Sequence, residues 1–241
     1  MNISFSPPDI TELEISEVAD TLRSGWITTG PRVKELEREL GDWLGVGKNC
    51  VCLNSQTACA EMALHIMGIG PGDEVIVPAY TYTASASVVC HVGAKLVLID
   101  CQKDSLEMDY KSLEAAINDK TKAIIPVDLA GVPCNYDELY KIVERNKSLF
   151  NPSNDIQRAL GRVAIMADTA HAIGAKWHGK MVGSIADFSS FSLLGVKELT
   201  TKAPRSLEIW DFFRPGFLNF LQHSYIGAHL DGNKILTTAA K

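Results

Sequence analysis

The sequence predicts an α/β fold, a mainly parallel sheet flanked by helices. Short continuous apolar runs recur along the chain, helical stretches lie between several of them, and neither an internal repeat nor a low-complexity linker interrupts the series. Strands with no polar alternation are the kind buried on both faces, which is the condition of a parallel sheet covered by helices.

The elements follow in order. Leu13, Val18 and Leu22 stand at near-helical spacing, and Val33, Leu36, Leu40, Trp43 and Leu44 do so more clearly. Buried strands are then expected at residues 50–53, 74–77, 95–99, 123–127 and 163–166. Helices are expected at 56–67, 110–117 and 137–145. Ligands of such sheets bind beyond the carboxyl ends of the strands, so polar residues at those ends carry the functional reading. Beyond Lys202 the pattern changes. Four of the eight phenylalanines, Phe212, Phe213, Phe217 and Phe220, crowd around Pro215 and Gly216 with no helical or strand period.

A chain of 241 residues, 46% apolar and 22% charged, fits one large domain or one domain with an appendage. Its 23 basic and 29 acidic side chains leave a formal charge of −6, which argues against broad binding to nucleic acid. No apolar run approaches the roughly 18–20 residues of a membrane helix, and residues 1–9 lack the basic start and apolar stretch of a secretory signal. A cytoplasmic protein is the expectation. Cys50, Cys52, Cys59, Cys90, Cys101 and Cys134 form no C-x-x-C pair and have no histidine at metal-ligand spacing. They are expected to be reduced thiols acting as small hydrophobes.

No dinucleotide fingerprint, P-loop, nucleophile elbow or H-E-x-x-H motif is present. Four polar sets instead stand where apolar strands end. Ser55, Gln56 and Thr57 open a helix, where free N–H groups and hydroxyls suit a phosphate, although Ser55 also reads as a plain N-cap. Tyr82 offers an aromatic face to a flat ligand, or is a rim tyrosine. Asp168 is a carboxylate at a buried strand end and needs a partner, such as a protonated ring nitrogen or a neighbouring turn. Ser192 and Lys197 follow another apolar run, and a lysine there is either solvated or desolvated enough for Schiff-base chemistry.

Taken together, residues 25–31 (GWITTGP), 54–58 (NSQTA), 68–78 (GIGPGDEVIVP), 127–131 (VDLAG), 167–175 (ADTAHAIGA) and 186–192 (ADFSSFS), followed by Lys197, resemble the DegT/StrS-type nucleotide-sugar aminotransferases. These belong to the pyridoxal-phosphate enzymes of fold type I, and the likeness runs over about residues 1–201. The resemblance implies that Lys197 carries pyridoxal 5'-phosphate as a Schiff base and shuttles the substrate proton. It implies that Asp168 pairs with the pyridinium nitrogen, that Tyr82 stacks on the ring and that His171 lies near the phenolic oxygen. Ser55, Gln56, Thr57 and Ser192 would hold the phosphate. Thr28 and Thr29 would lie near the sugar.

The implied reaction moves an amino group, from glutamate, onto a keto-sugar linked to a nucleotide, within a homodimer and without nucleic-acid or membrane partners. Relatives that dehydrate the sugar carry histidine at the lysine position, so Lys197 favours transamination over dehydration. Two departures support a further alternative, a non-catalytic remnant or interaction module of the same fold. Glu198 stands where the family usually has asparagine, and residues 200–206 (TTKAPRS) do not match the family's next strand. The expected division is a cofactor-binding domain at 1–201 and an unmatched aromatic-rich tail at 202–241, with the family's small C-terminal domain absent.

Overall fold

Helix α1 (Glu12–Arg23) begins where Thr11 and Glu14 form a capping box, each satisfying a backbone N–H of the other. The computed structural model describes residues 11–193 and 225–227; Lys197, Glu198 and the four clustered phenylalanines lie outside the described residues. Helix α2 (Pro31–Leu44) starts with proline in its first turn and stops at Gly45, whose φ of 78° is left-handed. Its apolar stripe of Leu36, Leu40 and Leu44 packs on Phe191 and Leu193. Gly183 permits this approach, because a Cβ there would stand 2.7 Å from the Phe191 ring.

The remaining elements alternate. Strands β1 (Val51–Leu53), β2 (Glu74–Pro78), β3 (Lys95–Ile99), β4 (Thr121–Ile124) and β5 (Ala164–Asp168) are separated by helices α3 (Gln56–Ile66), α4 (Thr83–His91), α5 (Tyr110–Ala116), α6 (Tyr136–Arg145) and α7 (Asp155–Leu160). A short hairpin, β6 (Lys176–Trp177) and β7 (Lys180–Met181), precedes β8 (Phe188–Ser192), and β9 (Tyr225–Gly227) comes last. The main sheet has the order β1-β9-β8-β5-β4-β2-β3. The five strands from β8 to β3 are mutually parallel. Strand β9 lies antiparallel between β8 and β1.

Side chains of successive residues leave a strand on opposite faces, and in the central strands β2, β4 and β5 both faces are dry. Val75, Val77, Ala123, Ile125, Ala164 and Met166 point to the layer of α3 and α4. Ile76, Ile124, Ile165 and Ala167 point to that of α5 and α6. Each such valine or isoleucine, fully buried, contributes roughly 1.5–3 kcal/mol. This is the α/β architecture expected from the continuous apolar runs. At the amino end of the parallel strands Arg162 makes two hydrogen bonds to Asp187, whose carboxylate also accepts the Ile165 N–H, so β5 and the approach to β8 are held in register.

Two expectations change. Regular β4 runs from Thr121 to Ile124 and not from 123 to 127; Val127 rejoins the sheet through a single bridge to Asp168. Helices α4 and α7 are additions. Tyr225–Gly227, within residues 202–241, supplies the strand that joins β8 to β1. Of the cysteines, Cys50, Cys59 and Cys134 are buried and all six are free, but Cys90 is exposed.

Candidate active site

The carboxyl ends of β1, β2, β5 and β8 bring most of the polar residues singled out above to one side of the sheet. Asp168 closes β5 and is 5% exposed. In the ladder it stands opposite Ser190 of β8, and on its other side it bridges to Val127. Its Oδ2 accepts a 2.6 Å hydrogen bond from the Ser85 hydroxyl on α4, and its Oδ1 accepts from the Ala170 N–H at 3.1 Å. Ser85 is itself paired with the Thr81 hydroxyl at 2.9 Å. With the Ser85 proton committed to the carboxylate, Thr81 donates to Ser85, and the chain Thr81–Ser85–Asp168 has one direction.

Helix α3 meets the same line of residues. Ser55 is its N-cap, with its hydroxyl accepting the Ala58 N–H at 2.9 Å, so the capping reading of Ser55 holds for that atom. The N–H groups of Gln56 and Thr57 belong to the first turn, which lacks intrahelical acceptors and sits at the positive end of the helix dipole. The Gln56 side chain, 5% exposed, donates to Ser190 Oγ at 2.9 Å, which ties the helix start to β8. Ser190 and Ser192 share a strand face. Ser192 Oγ is fully buried and has no hydrogen-bond partner among the described residues.

Tyr82 is the N-cap residue of α4, directly after the loop that leaves β2, and is 67% exposed. His171 follows β5, and its Nδ1 accepts the Ala130 N–H across 3.5 Å. Thr28 and Thr29 lie on the exposed turn between α1 and α2, where the Trp26 indole N–H donates to the Thr29 carbonyl. Among the described residues their side chains form no hydrogen bond with the strand-end groups. Gly30 leaves the space that the Trp26 ring fills, since a Cβ there would collide with it. Lys197 lies outside the described residues.

The sequence reading assigned no role to Ser85, Ser190 or Asp128. Ser85 sits in a run of small residues that reads as featureless helix. Asp128, completely buried, accepts from the Cys134 N–H and the Tyr136 hydroxyl, each at 2.8 Å. Burial, reinforced by the nearby Asp168, outweighs these bonds and pushes its carboxyl up to about 7. Burial also raises Cys134 and Tyr136 well above their ordinary values. The 127–131 stretch was the one signal for Asp128.

A buried carboxylate fixed by oriented donors, the first turn of a helix, a hydroxyl with no partner among the described residues and a rim aromatic together suit a flat, cationic ring that carries a phosphate. The model of the DegT/DnrJ/EryC1/StrS aminotransferase family matches residues 8–203. The spore coat polysaccharide biosynthesis protein SpsC of Bacillus subtilis (strain 168) is 37% identical over 199 residues, covering 83% of this chain and 47% of that protein. The UDP-4-amino-4-deoxy-L-arabinose–oxoglutarate aminotransferase of Shewanella sediminis is 39% identical over 204 residues, covering 83% and 48%. The solved PMP form of Spr1654 from Streptococcus pneumoniae superposes with a TM-score of 0.85 at 50% identity, over 98% of this chain and 54% of that one, and its PLP form scores 0.85 as well. The chain spans about half the length of the curated relatives it matches. With the family model matched over residues 8–203 and these relatives aligned over four fifths of its length, the chain belongs to the DegT/DnrJ/EryC1/StrS aminotransferase family.

Proposed function

We propose that this chain is the cofactor-binding part of a pyridoxal-phosphate-dependent aminotransferase that moves an amino group, from glutamate, to a nucleotide-linked keto-sugar. The observation that carries the reading is the clamp on Asp168. Ser85 and the Ala170 N–H hold its carboxylate in one orientation at the end of β5, where it keeps a proton on the ring nitrogen of the cofactor. The residues present fit that cofactor. Ser192 Oγ, buried and partnerless among the described residues, has a hydrogen bond to give, and a phosphate is the acceptor that the start of α3 also favours.

Pyridoxal phosphate, when bound, supplies an electron sink for the carbanion formed at the substrate α-carbon. The protein's share is placement and proton handling. Ser55, Gln56, Thr57 and Ser192 hold the phosphate, and Tyr82 covers one ring face. His171 faces the phenolic oxygen. Lys197 would hold the cofactor covalently and would shuttle the proton between the substrate α-carbon and C4′ of the cofactor. Thr28 and Thr29 lie on the sugar side. The domain that bears these groups is placed at residues 1–201, and Tyr225–Gly227 adds a strand to its sheet.

A homodimer and a cytoplasmic setting belong to the same proposal. The first is supported by α1, which buries no residue and exposes Ile15 and Leu22 on one face, ahead of exposed Trp26 and Ile27, an apolar strip suited to a second copy. The second is supported by six unpaired thiols, as in a reducing compartment. Among the described residues no helix is long and apolar enough to cross a membrane.

The test is product analysis. The chain is incubated with pyridoxal phosphate, glutamate and a nucleotide-linked keto-sugar, and the products are read by mass spectrometry. Formation of the amino-sugar together with 2-oxoglutarate is the expected result. A dehydrated sugar would point to the alternative reaction of the same cofactor. Folded, cofactor-loaded chain that yields no product would make it the non-catalytic relative.

A further inference from the structure

Asp128 stands behind both residues proposed to face the cofactor ring. Its N–H donates to the Asp168 carbonyl at 3.0 Å, and the Asp168 N–H donates to the Pro126 carbonyl at 2.8 Å, so the two carboxyl-bearing residues sit on adjoining strand ends. The Asp128 carboxylate accepts the Cys134 N–H at Oδ1 and the Tyr136 hydroxyl at Oδ2. These bonds close the chain around the turn Leu129–Gly131, in which Ala130 has a φ of 54° and Gly131 a φ of 79°. A left-handed alanine persists only where its surroundings determine it. Held in that conformation, Ala130 directs its N–H at His171 Nδ1. An imidazole that accepts at Nδ1 carries its proton on Nε2.

We propose that Asp128 is a positioning residue for the ring side of this site, holding the turn that fixes the His171 tautomer and acting through its charge on Asp168. The inference rests on the reading that the site binds pyridoxal phosphate. Burial pushes the Asp128 carboxyl up to about 7, so its charge changes near neutral pH. Among the described residues the titratable groups that face it are Cys134 and Tyr136, just before and at the start of α6, and Asp168 from the end of β5; His171 contacts the turn at Ala130. Glu107 stands beside Cys134, and Tyr140 beside Tyr136. Cys134 and Tyr136 are held well above their ordinary values and stay neutral through this range. When Asp128 loses its proton, a second negative charge beside Asp168 strengthens the hold on a proton at the ring nitrogen.

The experiment is an absorbance titration of pyridoxal phosphate bound to the full 241-residue chain, from about pH 6 to pH 9.5, in wild type, Asp128→Asn and Tyr136→Phe. Asparagine keeps both hydrogen bonds, its oxygen accepting from Cys134 and its amide donating to the Tyr136 oxygen, so it removes the charge and not the turn. The midpoint of the cofactor's absorbance transition is expected to fall by roughly half a pH unit or more in Asp128→Asn. Tyr136→Phe, which withdraws a donor from the carboxylate and raises its pKa, gives a smaller fall in the same direction. A purely structural Asp128 would alter melting temperature or affinity and leave the midpoint in place. Midpoints equal to wild type in folded, cofactor-bound variants overturn the proposal, and Tyr136→Phe carries the test if Asp128→Asn does not fold. Wild-type chain that binds no cofactor overturns the proposed function instead, so the two failures are distinguishable.

Discussion

The Ser85 hydroxyl donates to Asp168 Oδ2 over 2.6 Å, joining helix α4 to the end of strand β5 across 83 residues of sequence. Both groups are buried, and a hydrogen bond to a buried carboxylate orients it and spares it part of its desolvation cost.

Ser85→Ala removes that donor and leaves Asp168 less well satisfied. Stability is expected to fall by about 1–3 kcal/mol, read by urea denaturation of the cofactor-free chain. Affinity for pyridoxal phosphate is expected to fall with it. Thr81→Ala, one hydroxyl further from the carboxylate, is expected to have a smaller effect on both. Unchanged affinity in Ser85→Ala would show that the bond does not prepare Asp168 for a ligand.

Ser192→Ala is expected to behave in the opposite way without cofactor. A buried hydroxyl with no partner among the described residues costs stability, so its removal is neutral or stabilising by up to about 1 kcal/mol. Pyridoxal phosphate binds less tightly to the variant, whereas pyridoxal, which lacks the phosphate, binds as it does to wild type. Equal losses for the two ligands would take Ser192 away from the phosphate.

Asp128 makes folding stability depend on pH in a direction unusual for an aspartate. In the unfolded chain the group loses its proton near the ordinary aspartate value of 3.8, and in the folded chain it keeps the proton to about 7. The folded state therefore binds the extra proton between these values. Stability contributed below the lower value is lost as pH rises through the upper one. Asp128→Asn lacks this titration. Relative to wild type it is expected to gain stability between pH 4 and pH 7.5, by an amount on the order of a few kcal/mol. A difference between the two proteins that stays flat across that range would contradict the assignment. Carboxylates remote from Asp128 cancel in the comparison, including Glu74 and Glu114, which their hydrogen-bond partners hold below the usual range.

Much of this was legible in the sequence because the signal was local. Strand β3 matches its expected bounds, and α3, α5 and α6 fall within a residue of theirs, since each is a run of apolar residues of one period between polar turns. Helix α4 was not visible: Thr83–His91 is built from small and β-branched residues with little amphipathic contrast. Strand β9 was not visible because Tyr225–Gly227 is three residues long, and its place depends on β1 and β8, distant in sequence. At the site, Asp168 and Ser192 could be named from their positions after apolar runs. The Ser85 and Gln56 contacts could not, because they join residues 83 and 134 positions apart. Asp128 shows the same limit. Its neighbours Cys134 and Tyr136 are close in sequence, but only the left-handed turn at Ala130 brings them onto its carboxylate.

The most direct test of the central claim is borohydride reduction of the chain mixed with pyridoxal phosphate, followed by peptide mass spectrometry, beside a Lys197→Ala control. A pyridoxyl group fixed on the peptide that contains Lys197, and lost in the variant while the fold is kept, is the predicted result. A modification placed on another lysine, or undiminished in the variant, would contradict the account.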